Sequence, residues 1–176
     1  MIFKEMELLG AFLIRPERLE DERGFFARTY DRAIFQEHGL VVEIAQVNIS
    51  FNRRRGTLRG MHYQASPFGE DKLVRCTSGA IHDVVIDLRP DSPTYLRHMG
   101  LSLTAENREM VYVPKGFAHG FLTMADDTEV TYQMSAPYSP DYARGIRWDD
   151  PVAGIKWPAK IQVISERDRT LSDYEP

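Results

Sequence analysis

Most of the chain's apolar residues fall in strand-length runs, and the spacers between those runs are too short for helical crossovers. The runs cover residues 8–15, 42–51, 57–64, 72–77, 80–88, 96–103, 110–113, 117–124 and 129–135, separated by Gly, Pro, Asn and Asp. Parallel neighbours in one sheet need a connection of about a dozen residues or more, usually a helix, whereas antiparallel neighbours need only a turn. The spacing therefore predicts an all-β chain, and its many short strands predict an antiparallel double-sheet jelly roll. Ser78-Gly79 and Asp126-Asp127 read as hairpin turns. One short helix near the N-terminus is predicted at residues 31–38, capped by Asp31, with Ile34, Phe35 and His38 on one side and Gly39 ending it.

The pattern changes near Pro137-Tyr-Ser-Pro-Asp. From there Trp148-Asp-Asp-Pro and Ile155-Lys-Trp157-Pro alternate aromatic anchors with prolines, which predicts an irregular C-terminal tail packed across the β core and not part of a sheet. No repeat or linker divides the chain, so residues 1–176 are read as one domain. With 43% hydrophobic and 27% charged residues it can enclose a core, which rules out disordered and collagen-like classes. The net charge of −4, with Lys and Arg dispersed, offers no nucleic-acid or membrane footprint. The acidic first residues are unlike a signal peptide and no apolar run reaches spanning length, so a cytoplasmic location is expected. Cys76 is the only cysteine, which excludes an internal disulfide and any zinc site of several thiolates.

The densest polar cluster within strand-like sequence is Arg59-Gly-Met-His62-Tyr-Gln64, followed by Lys72-Leu-Val-Arg75. A single charge in such a strand is ordinarily solvated on an edge. Here several occur together, and Gln46, Asn48 and Ser50 alternate with Val47, Ile49 and Phe51, as in the polar wall of a cavity. His62 is the candidate base, because imidazole takes and returns a proton near neutral pH; a buried, hydrogen-bonded structural histidine is the competing reading. His119 shares a strand face with Phe117 and Phe121, which fits plain core as well as a site. Strict alternation puts Arg59 and His62 on opposite faces, so a pocket holding both requires a bulge, for which Gly60 is the natural place. Paired histidines one residue apart with a following glutamate, the usual metal signal of jelly rolls, are missing after His62. A site from His62, His82 and His119 stays open only as a less favoured reading, a metal-dependent cupin enzyme. Neither Cys76 nor any serine shows a cue for nucleophilic activation.

In order along the chain, Asp21-Glu-Arg-Gly-Phe-Phe26, Gln46-Val-Asn48-Ile-Ser50, Gly56-Thr-Leu-Arg-Gly-Met-His-Tyr-Gln64, Lys72-Leu-Val-Arg75, Gly116-Phe-Ala-His-Gly-Phe121, Tyr132, Tyr138, Trp148-Asp-Asp-Pro151 and Ser165-Glu-Arg-Asp168 closely resemble the dTDP-4-dehydrorhamnose 3,5-epimerase family. The resemblance implies a cupin-type jelly-roll homodimer without metal or organic cofactor. It implies inversion of the carbons flanking the 4-keto group of a nucleotide-linked 6-deoxyhexose, with the final sugar and pathway open. By the same resemblance His62 is the base, Asp168 orients it, Lys72 supports the enolate oxygen and Tyr132 returns a proton. Arg23 and Arg59 pair with the diphosphate, Gln46 and Asn48 contact nucleotide and sugar, His119 lies beside the sugar, and Phe26 and Tyr138 sandwich the base. The segment of Arg23 and Phe26 is implied to reach the neighbouring subunit's site. Three departures mark binding positions: Arg28 and Ala143 stand where the family usually has glutamate, and Arg167 where it has lysine. An arginine fork donates to the N3 and O2 of cytosine, whereas a carboxylate accepts from the N3–H of thymine, so Arg28 raises a CDP-linked sugar as the alternative to a dTDP-linked one. Inversion at C3, at C5 or at both stays open, as does a noncatalytic sugar-nucleotide binder on the same scaffold.

Overall fold

The computed structural model describes residues 1–175 of the 176-residue chain. Its elements are β1 (Ile2–Glu5), β2 (Phe12–Arg15), β3 (Arg18–Asp21), β4 (Gly24–Ala27), α1 (Arg32–Glu37), β5 (Gln46–Asn52), β6 (Thr57–Gln64), β7 (Lys72–Ser78) and β8 (Ala80–Asp87). They continue with β9 (His98–Thr104), β10 (Met110–Val113), β11 (Phe117–Thr123), β12 (Thr128–Met134), a 3₁₀ turn at Pro140–Tyr142, β13 (Ala143–Gly145), β14 (Val163–Ile164) and α2 (Glu166–Arg169). One sheet has the order β1-β2-β10-β7-β12-β5, and the other β13-β6-β11-β8-β9 with β14 also on β6; β3 and β4 form a separate ribbon.

From β6 to β12 the chain repeatedly changes sheets, as a jelly roll does. This overturns the reading of Ser78-Gly79 and Asp126-Asp127 as hairpin turns. The strands on either side of each lie in different sheets, so both are corners of the roll. Gly79 at φ 73° and Asp127 at φ 48° make the sharp reversal a hairpin would also need, and local turn chemistry is the same in both cases.

Two expected strands start later than their apolar runs. Residues 8–11 form a turn that buries Leu8 and Ala11 without entering the sheet, and residues 42–45 lead into β5 as irregular chain. The tail also differs from expectation. β13 pairs antiparallel with β6, β14 pairs parallel with it, and α2 follows. Strands of three and two residues are too short to show alternation, and they form because β6 presents an open edge. The helix is as predicted, with the Asp31 side chain accepting from the Ala33 and Ile34 amides.

Alternation lets both faces of each sheet bury apolar side chains, except on the outer face of β5. Between the sheets lie Val74, Cys76, Val111 and Val130 from one and Ile81, Val85, Leu103, Phe117 and Phe121 from the other. Outside the first sheet, Phe35 of α1 packs with Ile14, Leu73 and Met110. Outside the second, the tail supplies Ile146, Ala153, Ile155 and Trp157 over Met61, Val84, Ile86 and Ala118, with the Trp157 indole donating to the Trp148 carbonyl at 2.9 Å.

The end of β8 is tied down by Asp87, fully buried, whose carboxylate accepts from the Arg89 guanidinium at 2.7 and 2.8 Å and from Ser92 and Thr94 at 2.6 Å each. Burial alone would raise the Asp87 carboxyl, but these bonds outweigh it and bring its pKa down to about 2. A depressed folded-state pKa stabilises the fold above the unfolded value and loses that contribution as pH falls through the folded one. Asp87→Asn should lower stability by about 2 kcal/mol at neutral pH. Urea titrations of both proteins should show the gap shrinking only between about pH 4 and pH 2. A gap independent of pH would count against the ionic origin.

Candidate active site

The inter-sheet space is apolar at one end and polar at the other, where a cavity of about 190 Å³ is lined by Ser50, Arg59, His62, Lys72, His119, Gly120, Phe121 and Tyr132. Arg59, His62, His119 and Phe121 come from β6 and β11 of one sheet, and Ser50, Lys72 and Tyr132 from β5, β7 and β12 of the other. The residues that strict alternation separates, Arg59 and His62, do share this cavity. His119 is opposite His62 and Phe121 is opposite Arg59, so β6 spends two residues, Gly60 and Met61, where β11 spends only Gly120. That bulge returns His62 to the inner face and leaves Met61 in the outer core.

Gly60 is required there on two counts. Its φ is 134°, and an added Cβ would lie 2.5 Å from the Gly120 Cα. The bulge is held from outside by Asp168, which is 4% exposed on α2. One carboxylate oxygen is 2.7 Å from His62 Nε2 and the other accepts from the Gly60 amide at 3.2 Å. Burial would raise the Asp168 carboxyl, but the His62 ring and the Gly60 amide hold it below the usual carboxylate range. An ionised carboxylate only accepts, so Nε2 carries the proton and Nδ1 is left as the basic nitrogen of His62.

The second histidine is tied in the same manner. His119 Nε2 is 2.8 Å from Oδ2 of Asp83, which is fully buried on β8 and points inward between Ile81 and Val85. Its Oδ1 is the one buried side-chain polar atom without a hydrogen-bond partner among the described residues. His82 does not join them: it lies on the opposite strand face, edge-on to Trp157 with ring centroids 6.3 Å apart. Among the described residues no three His, Cys, Asp or Glu side chains are grouped to hold a metal ion. Burial pushes the Cys76 thiol up to about 11, far from the range of a reactive thiolate.

Of the other expected site residues, Arg59 donates through Nε to Oδ1 of the buried Asn52 at 2.7 Å. Gln46, Asn48 and Ser50 face inward opposite Met134, Tyr132 and Val130, and Gln46 accepts from the amide of Tyr138, whose ring is exposed. Arg23, Phe26 and Arg28 lie outside this chain's cavity. Arg23 pairs with Asp21 and Phe26 is exposed on the β3–β4 ribbon, while Arg28 is 3.0 Å from Asp31. Arg167 is on α2 one residue before Asp168. Sequence reasoning missed Asn52, Glu70 and Asp83, the polar partners that hold Arg59, Lys72 and His119. Asp83 had a readable signal, a carboxylate at an inward position of an otherwise apolar strand.

A roll whose two sheets bring titratable side chains to one small cavity, with a histidine fixed by an aspartate and a buried lysine, has the equipment of an isomerase that moves protons on carbon. The profile of the dTDP-4-dehydrorhamnose 3,5-epimerase family matches residues 5–175. A relative from Methanothermobacter thermautotrophicus bearing that name is 46% identical over 170 residues, covering 95% of this chain and 91% of its own. The Bacillus anthracis dTDP-4-dehydrorhamnose 3,5-epimerase, solved with TDP and PPi bound, superposes with a TM-score of 0.95 at 38% identity, over 98% of this chain and 99% of that one. A 3'-monoepimerase from Streptomyces bikiniensis with dTDP-quinovose bound gives 0.87 at 34% identity, over 96% and 85%. The chain belongs to the dTDP-4-dehydrorhamnose 3,5-epimerase family.

The Gly60 geometry is testable by substitution. Gly60→Ala should destabilise the fold by about 2 kcal/mol or more, because neither the backbone angle nor the Gly120 contact admits a methyl group. A thermal melt matching the parent protein would show that the bulge has room.

Proposed function

We propose that the chain epimerises a dTDP-linked 4-keto-6-deoxyhexose, dTDP-4-dehydro-6-deoxy-D-glucose, toward dTDP-4-dehydro-L-rhamnose. The observation that carries this reading is the entry of His62 and Tyr132 into one cavity from opposite sheets, with Asp168 behind His62. A C–H bond beside a ketone loses its proton readily only if the enolate oxygen is stabilised. His62 takes the proton through Nδ1, the electron pair moves onto the C4 oxygen beside the Lys72 ammonium, and Asp168 balances the imidazolium. Tyr132 then delivers its phenolic proton to the carbon from the other wall as the enolate collapses to the ketone. Removal on one face and return on the other is inversion, and no redox or metal step is needed.

The cavity is smaller than the roughly 300–1,000 Å³ of sites that enclose drug-sized ligands, so it takes the sugar and leaves the nucleotide outside. In this reading His119 lies beside the sugar, Gln46 and Asn48 contact sugar and nucleotide, Arg59 pairs with the diphosphate, and Tyr138 stacks on the base. Arg167 lies on the binding rim. Arg23, Phe26 and Arg28 serve the site from a second copy of the chain. Support for a dimer comes from β5, an edge strand whose outward Val47, Ile49 and Phe51 are 58%, 64% and 51% exposed. An open edge with an apolar stripe is a surface for pairing, and a symmetric dimer covers it twice. The described residues include no helix long and apolar enough to cross a membrane, and we place the enzyme in the cytoplasm, where a lone thiol such as Cys76 stays reduced.

Proton NMR in D₂O tests the chemistry. The wild type should exchange both the C3 and C5 protons of the dTDP ketosugar. Loss at C3 alone would make it a 3-epimerase, and no exchange would sink the reading. His62→Ala should lower exchange by about a hundredfold or more, and Tyr132→Phe should slow net epimerisation while leaving nucleotide affinity nearly intact. Arg28 is the feature that favours a cytidine base, and the same experiment with the CDP-linked sugar decides it: faster exchange there would replace dTDP by CDP.

Sedimentation tests the shared site. Ile49→Asp should shift the protein from dimer to monomer and reduce turnover, since Ile49 faces away from the cavity and acts only through pairing. A monomeric wild type with full activity would remove the dimer from the reading.

A further inference from the structure

Lys72 opens β7 with its side chain directed between the sheets, in register with Met134 on β12. Its side chain is 9% exposed, and the side chain of Glu70, two residues earlier, is 5% exposed. The ammonium is 3.2 Å from Glu70 Oε1 and donates to the His62 carbonyl at 3.2 Å. An ammonium has three N–H bonds; one is given to the His62 carbonyl and Glu70 pairs with the charge at its side, which leaves donor capacity for the cavity that Lys72 lines. Charge-assisted N–H···O bonds are about 2.7–2.9 Å when tight, so both contacts hold the group loosely enough for it to shift toward a stronger acceptor.

We propose, building on the epimerase reading above, that Glu70 is a positioning residue that keeps the Lys72 ammonium charged and aimed at the ketone oxygen. Burial alone lowers the Lys72 pKa, and Glu70, then Asp83, oppose it. A neutral amine in this cavity would stabilise an enolate far less than an ammonium does. Facing Lys72 are Glu70 beside it, Asp83 on β8, His62 and Arg59 on β6 with Asp168 behind His62, His119 on β11 and Tyr132 on β12. Arg59 and an imidazolium at His62 both work against a protonated lysine. Glu70 is the carboxylate paired with it. As negative charge gathers on the C4 oxygen, the ammonium exchanges part of its hold on Glu70 for that oxygen, with no proton transfer required.

Glu70→Gln keeps the shape and the acceptor oxygen and removes the charge. In that variant kcat should fall about tenfold or more, with KM little changed and the alkaline limb of kcat displaced to lower pH. Glu70→Asp should restore part of both. Repeating the C3 proton-exchange profile in Tyr132→Phe, with and without Glu70→Gln, removes the tyrosine's own titration from that limb. NMR of ¹³C-labelled lysine side chains reads the Lys72 charge without turnover, and it should deprotonate at lower pH in Glu70→Gln. An active wild type matched by Glu70→Gln in kcat and in the Lys72 titration would overturn the proposal while leaving the epimerase reading in place. Loss of stability with kcat and KM changed but both titrations unmoved would make Glu70 merely structural and equally overturn it. A wild type without exchange would sink the epimerase reading itself, and the Lys72 titration would still decide whether Glu70 holds the charge.

Discussion

The contact on which the site depends is the Asp168 carboxylate spanning the β6 bulge, with His62 on one oxygen and the Gly60 amide on the other. A bulge leaves at least one backbone group outside the sheet ladder, and a buried amide without a partner costs about 1–3 kcal/mol. Asp168 removes that cost with the same carboxylate that fixes the imidazole tautomer. Backbone irregularity and the geometry of the site are therefore one feature here. The bulge would leave a donor unsatisfied without the carboxylate, and the carboxylate would lack both partners on a regular strand. The arrangement also explains the shape of the tail. To bring Asp168 to β6, the chain crosses the outer face of the second sheet, anchored by Ile155 and Trp157, and then docks β14 alongside Thr57 and Leu58.

The core of the roll serves the site by being uneven. Val74, Val85, Val111 and Val130 close one end, while the other end carries Arg59, Lys72, His62 and His119 against Glu70, Asp83 and Asp168. Removing ions from water costs several kcal/mol each, and only close, hydrogen-bonded partners return most of it. Each inward-facing histidine and the lysine has its own carboxylate. Paired in this manner, charged groups are tolerated in a small cavity between the sheets, where their fields are screened less than they would be in open water.

Features that express themselves locally were readable from the chain alone. The strand-length runs define nine of the fourteen strands, since burial on alternate residues writes itself into composition. Asp31 announced the α1 cap, and Gly60 marked the bulge because two wanted residues fell on opposite faces. What stayed hidden depends on partners far along the chain. A turn such as Ser78-Gly79 has the same chemistry whether the next strand stays in its sheet or crosses to the other, and only the packing of both sheets decides. The β3–β4 ribbon is exposed along nearly its whole length, Leu19 and Phe26 included, so no burial pattern reveals it. The partners of Arg59, Lys72 and His119 were harder to assign for a similar reason. Asp83 stood out at an inward position of an apolar strand, but which side chain it faces became readable only with the fold.

Asp83 leads one step further. Its Oδ2 is bonded to His119 while its Oδ1 is buried without a partner, an unusual condition for a carboxylate inside a protein. Its field nevertheless reaches Lys72 and opposes the effect of burial there. Glu70 and Asp83 therefore act on the same lysine by different means, one through a direct contact and the other through space. Both carboxylates reach it because the two sheets converge at this end of the roll, Glu70 ahead of β7 in one and Asp83 on β8 in the other.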